Sequence, residues 1–121
     1  MEIKVANKED FEQLEPLMIE IEHHHVHLEP EVFTPVDFYD REHFDQLIDN
    51  EHERVLYIEI EGEVAGMLIA VERQFPPLPI FVGGKYIEIE ELSVTKKFRR
   101  MGIGKALMNA AEAWAISRGL T

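Results

Sequence analysis

The chain has no cysteine, which excludes disulfides, thiolate metal sites and a cysteine nucleophile and is typical of a reducing compartment. It also has no long hydrophobic run. The longest apolar stretch, Val64 to Val71, is far too short to span a membrane, and Met1 to Lys4 lacks the apolar core of a signal peptide. No repeat or linker interrupts the 121 residues. These absences predict a single cytoplasmic domain over residues 1–121 that binds no membrane.

Basic residues are scarce. Twelve Lys and Arg face 24 Asp and Glu, so the net charge of −12 argues against nucleic acid or anionic lipid as a partner of the bulk surface. Five of the twelve nevertheless fall within ten positions: Lys96, Lys97, Arg99, Arg100 and Lys105. Such a local basic cluster indicates a site for a small polyanion, although a solvated basic loop is equally compatible with the charge alone.

Hydrophobic periodicity predicts the element order β-α-α-β-β-β-α. The predicted elements are a strand at Glu2–Val5, a helix capped by Asn7 and bent at Pro16, a short helix ending before Arg54, strands at Val55–Ile60, Val64–Val71 and Tyr86–Val94, and a helix at Gly102–Arg118. Loops are expected at Pro30–Asp37 and Gln74–Lys85. Because Val64–Val71 is apolar in both phases, we expect it to be a central strand buried on both faces.

The last predicted strand changes phase midway. Its apolar positions are Ile87 and Ile89, then Leu92 and Val94. Keeping all four side chains on the buried face requires one extra residue near Glu90-Glu91, which is a β-bulge. The opposite face would then carry Glu88, Ser93 and one or both of Glu90 and Glu91. A sheet edge whose acids simply face water is the alternative.

A glycine turn follows this strand directly. In Arg99–Lys105, two glycines precede a helix whose N-terminus presents free N–H groups and the positive end of its dipole. The turn lacks the third glycine of a dinucleotide fold, and Ala106 stands where a P-loop needs Ser or Thr. A phosphate group is the natural occupant of such a turn.

Glu91–Val94 and Arg99–Met108 closely resemble the core motif of the GNAT superfamily of N-acetyltransferases, Gln/Arg-x-x-Gly-x-Gly/Ala. Asn7–Asp10 and the hairpin glycines Gly62 and Gly66 extend the likeness over nearly the whole chain. The resemblance implies a three-layer α/β fold with a mixed α+β sheet. It also implies that this form is C-terminally truncated, because the family's usual strand, tyrosine-bearing helix and two further strands would follow Gly119.

The resemblance further implies acetyl-CoA as cosubstrate. The residues implied to bind it are Leu92, Ser93 and Val94 for the pantetheine arm, and Arg99, Arg100, Met101, Gly102, Ile103, Gly104, Lys105 and Ala106 for the pyrophosphate. Glu88, and next Glu90, are the candidate catalytic bases for an acceptor amine that attacks directly in a ternary complex. The acceptor would be a small-molecule or peptide amine.

Two further expectations concern partners. If no strand follows Leu120, the strand Tyr86–Val94 has an open edge, so we expect a homodimer formed along it or along the last helix. A non-catalytic coenzyme-binding or self-associating remnant is the alternative function. His23, His24, His25 and His27 have the spacing of a divalent-metal site, but a polar helix end explains them as well, so no metal is predicted.

Overall fold

A computed structural model describes residues 2–34, 36, 38–80 and 84–120. Its strands are β1 (Ile3–Val5), β2 (Glu53–Ile60), β3 (Glu63–Gln74) and β4 (Lys85–Val94), and its helices are α1 (Phe11–Leu28), α2 (Arg41–Asp49) and α3 (Ile103–Ser117). The predicted element order is confirmed. Both predicted loops are described only in part, since residues 35, 37 and 81–83 lie outside the described residues. None of the described helices is long and apolar enough to cross a membrane.

The sheet has the order β1-β2-β3-β4. The three pairings among these strands are all antiparallel, so the parallel pairing expected of a mixed sheet is not among the described ones. Two of the pairings join consecutive strands as hairpins, β2 with β3 and β3 with β4. β3 is buried on both faces, as its sequence predicts. Met67 packs into the cluster under α1 and α2, and Leu68 packs into the cluster under α3.

Two hydrophobic clusters make the protein a three-layer structure, as expected. On one face of the sheet, Leu14 and Met18 of α1 and Phe44 of α2 pack on Tyr57 and Met67. On the other face, the buried side of α3 packs on the sheet through Ile103, Leu107, Ala111 and Trp114. Of the helices, α3 packs against the edge strand β4.

The N-terminal cap forms as predicted. The Asn7 side chain accepts from the Glu9 amide at 2.8 Å, and the Asp10 side chain accepts from the Asn7 amide at 2.9 Å. This capping box begins a short 3₁₀ turn, Lys8–Asp10, that leads into α1. α1 then runs past Pro16 without a break, as expected.

The predicted β-bulge is present in β4. Ile69 pairs with Glu91 and its neighbour Ala70 pairs with Ile89, so Glu90 is the extra residue. Ile87, Ile89 and Val94 therefore all pack against the α3 cluster. The fourth apolar residue departs from the expectation: Leu92 lies opposite Leu68 on that face but is 39% exposed, because β4 is an edge strand.

Candidate active site

The turn before α3 is a site of free backbone donors. Arg100 and Gly102 have left-handed φ angles of 67° and 80°, which lead the chain sharply into the helix. The first i to i−4 bond of the helix runs from the Ala106 amide to the Gly102 carbonyl at 3.0 Å. The amides of Ile103, Gly104 and Lys105 consequently have no acceptor within the helix. Together with the helix dipole they favour an anion.

The basic cluster divides into anchored and free members. Lys97 pairs with Glu63 at 3.0 Å, and Arg99 Nε donates to the Val94 carbonyl at 3.4 Å, while the buried Phe98 fixes the turn to the core. Lys96, Arg100 and Lys105 form no ion pair with any acid in the part of the chain that the structure describes. Their charge is therefore available to a bound anion.

The outer edge of β4 is the second source of free backbone groups. The Thr95 amide donates to the Ala65 carbonyl of β3 at 2.9 Å. Since antiparallel strands alternate, the backbone of Ser93 also faces β3, whereas the groups of Leu92 and Val94 point away from it. No described strand pairs with that side. Of the three strand residues expected to bind the pantetheine arm, Leu92 presents its amide and carbonyl on the open side, and Val94 presents its amide. The Val94 carbonyl already accepts from Arg99, and the backbone of Ser93 faces β3.

Glycines set the distance between the turn and the strand. A Cβ on Gly66 would lie 2.8 Å from Ile103 Cγ2 and 2.9 Å from the Ser93 carbonyl oxygen, so only glycine lets α3 begin this close to β3 and β4. A Cβ on Gly104 would meet only Val94 Cγ2, at 3.9 Å. The helix start and the end of β4 are therefore neighbours, with space between them.

A cavity of about 520 Å³ opens on the opposite face of the sheet, between α1, the segment before α2 and the bulge of β4. We call it the acidic cavity, because its polar lining includes Glu22, His25, Tyr39, Glu90 and Glu91. Its apolar wall includes Met18, Ile21, Met67 and Ile69. The bulge explains the two adjacent acids, since the extra residue turns both Glu90 and Glu91 to this side.

The two candidate bases have different surroundings. Glu90 lines the acidic cavity. Glu88 does not, and its Oε2 instead accepts from Arg73 Nε at 2.6 Å, with both side chains about half exposed. The geometry therefore favours Glu90 over Glu88 as the group that meets an acceptor.

Burial and like charge shape the electrostatics of the acidic cavity. Burial, followed by the charges of Glu22 and Glu90, raises the pKa of Tyr39 to about 12. Burial also raises the pKa of Glu22, whose Oε2 is buried without a hydrogen-bond partner. Burial and the charge of Glu90 raise the pKa of Glu53 nearby. Each shift reports an environment that disfavours further negative charge.

One member of the histidine cluster reaches the acidic cavity. His25 Nε2 lies 3.7 Å from Glu91 Oε2, and its ring contacts Phe33. His23 Nε2 is instead 2.8 Å from the Val36 carbonyl oxygen, and His24 and His27 are exposed. Among the described residues, no group of three or more potential ligands could hold a metal ion.

Sequence reasoning missed Glu22 and Tyr39. Glu22 follows the apolar position Ile21 in a run of acids and histidines, and Tyr39 lies in the irregular segment before α2, so neither belongs to a motif. Their common environment arises only when α1 and that segment pack beside β4.

The chain is similar to known proteins of one family. The model of the acetyltransferase (GNAT) family matches residues 18–121. A protein of Archaeoglobus fulgidus described as an uncharacterized N-acetyltransferase is 31% identical over 98% of this chain and 76% of its own length.

Two solved structures share the fold. The BH1408 protein of Bacillus halodurans, in a mutant form, has a TM-score of 0.85 at 22% identity over 99% of this chain and 78% of that one. A predicted acetyltransferase of Clostridium acetobutylicum, solved with acetyl-CoA, has a TM-score of 0.70 at 17% identity, over 99% of this chain and 76% of that one. The chain belongs to the GNAT family and is an N-acetyltransferase.

Proposed function

We propose that this N-acetyltransferase moves an acetyl group from acetyl-CoA to the primary amine of a small molecule or peptide, by direct attack in a ternary complex. The observation that carries the proposal is the arrangement around β4. Its end adjoins the free amides of α3, its outer edge exposes Leu92 and Val94, and its bulge faces the acidic cavity. Donor and acceptor sites thus meet at one strand.

The chain's own residues fit the cosubstrate. The amides of Ile103, Gly104 and Lys105 would donate to the pyrophosphate, and the free cations of the turn would balance its charge. The absence of a side chain on Gly104 leaves space beside Val94 for this contact. The outward amide and carbonyl of Leu92 and the outward amide of Val94 would hold the pantetheine arm as a neighbouring strand would.

The acceptor amine must lose a proton. An amine with a pKa near ~10.4 is neutral in only about one molecule in 2500 at pH 7. Glu90, on the cavity side of the bulge, would accept that proton directly or through water, and the neutral nitrogen would then attack the acetyl carbon. As the thioester C–S bond breaks, coenzyme A would leave as its thiolate and take up the second proton released by the nitrogen. The Val94 amide would donate to the acetyl carbonyl oxygen. Glu88 stays a second candidate, since release from Arg73 would free it.

Matched substitutions test the base. Glu90→Gln should lower turnover by ~10² to 10⁴ and change the pH profile, with unaltered acetyl-CoA affinity in calorimetry. Glu88→Gln, which breaks the Arg73 pair, should have a much smaller effect. The reverse ranking would make Glu88 the base, and full activity of both variants with unchanged profiles would contradict a glutamate base.

Exposed apolar side chains support self-association as a second candidate function. The unpaired side of β4 exposes Leu92, and Met108 on α3 is also 41% exposed, so this edge suits self-association into a homodimer. A non-catalytic form would bind acetyl-CoA or self-associate, without transferring acetyl to any amine. Turnover assays with a panel of amines, carried out on protein shown to bind acetyl-CoA or to form a dimer, distinguish the two functions.

A further inference from the structure

The acidic cavity carries more negative charge than a single reacting amine can balance. Three carboxylates line it, and within the described residues no lysine or arginine does. Arg73 interacts with the charge of Glu90 but is held by Glu88 at 2.6 Å. His23, His25 and His43 act on Glu22 and oppose its charge only when protonated.

Glu22 has a carboxylate oxygen that is buried without a hydrogen-bond partner. Its Oε2 is buried and accepts no hydrogen bond, although buried polar atoms are normally satisfied. Glu22 and Glu90 have separate roles. Transfer of the proton of the reacting amine to Glu90 would still leave the Glu22 carboxylate without a cationic partner. Glu22 and Glu90 both line the acidic cavity together with Tyr39, and the charges of both act on the Tyr39 phenol group.

We infer that the acceptor is a diamine or polyamine, with one amine at Glu90 and a second ammonium group held by Glu22. This inference rests on the proposed function and identifies its acceptor class. Tyr39 and the apolar wall formed by Met18, Ile21 and Ile69 would contact the carbon chain between the two nitrogens. A volume of about 520 Å³ accommodates such a chain. An amino acid is excluded as acceptor, because its carboxylate would enter a field of three acids.

Two probes of equal chain length test this inference. Butylamine has one amine and 1,4-diaminobutane has two, so they differ mainly in the second charge. The protein should acetylate the diamine with a kcat/KM about 10- to 100-fold higher, the size of one charge-assisted hydrogen bond. Glu22→Gln should bring that ratio close to one by lowering the value for the diamine. Glu20→Gln, an equal charge change at an exposed position on the same helix, should leave both values unchanged.

The outcomes distinguish this inference from the proposed function. Equal use of both probes by the unaltered protein overturns the diamine assignment while acetyl transfer to an amine stands. A diamine preference that survives in Glu22→Gln overturns the role of Glu22. If neither probe is acetylated, the proposed function fails for these amines, and calorimetric binding decides the inference. Tighter binding of diaminobutane than butylamine supports it, and equal or absent binding overturns it.

Discussion

Adding one methyl group at Gly66 should both destabilise the protein and disturb its donor site. The new Cβ would lie 2.8 Å from Ile103 Cγ2 and 2.9 Å from the Ser93 carbonyl oxygen. Carbon atoms normally pack at ~3.5 Å or more, so α3 must move away from β3 by about 0.7 Å, and β4 must also yield. Neither neighbour yields easily, since Ile103 is β-branched and 1% exposed and the oxygen belongs to the backbone of a strand.

The expected net effect of Gly66→Ala is a loss of about 1–2 kcal/mol in the free energy of unfolding. Overpacking costs ~1–3 kcal/mol, and the reduced freedom of the unfolded chain returns ~0.4–1 kcal/mol. Urea unfolding should show a lower midpoint at an unchanged m value. Calorimetry should show weaker acetyl-CoA binding, because the shifted elements carry the proposed backbone donors.

Gly104→Ala is the matched control, because it adds the same methyl group where a Cβ meets only Val94 Cγ2 at 3.9 Å. As a helical glycine replaced by alanine, it should be neutral or stabilising by up to ~1 kcal/mol. A Gly66→Ala protein as stable as the unaltered protein or as this control would refute the steric requirement for glycine at position 66.

Three other predictions follow from the site and its supports. Gly104→Val should abolish acetyl-CoA binding with an unchanged circular dichroism spectrum, and equal affinity in calorimetry would remove the assigned anion site. Glu72 accepts from Arg118 and Lys85, which lower its pKa from the ordinary 4.5 to about 2. The stability it contributes should be complete above pH 4.5 and lost as the pH falls toward 2, and Arg118→Gln should flatten this dependence in urea titrations at successive pH values. Light scattering should show a dimer at micromolar concentration that Leu92→Lys weakens, whereas a stable monomer would contradict association along β4.

Short-range patterns determined much of this protein from its sequence. The capping box needs only Asn7 and Asp10, three residues apart. The phase change between Ile89 and Leu92 requires an extra residue, because side chains in a strand alternate strictly, and that residue is Glu90. The glycines and cations of Arg99–Lys105 likewise predict a helix start suited to an anion. Each inference depends on residues within about one helical turn or one strand.

Tertiary packing decided which side chains share a site. The sequence ranks Glu88 ahead of Glu90, but pairing of β3 with β4 brings Arg73 to Glu88, and the bulge turns Glu90 into the acidic cavity. In the sequence, Glu22 is one of several acids in a polar helix end. Only the tertiary structure shows that its Oε2 is buried. The requirement for glycine at position 66 follows only from its close contact with Ile103, which lies 37 positions later in the sequence. Contacts between distant residues depend on how layers pack, and hydrophobic periodicity within one element does not encode them.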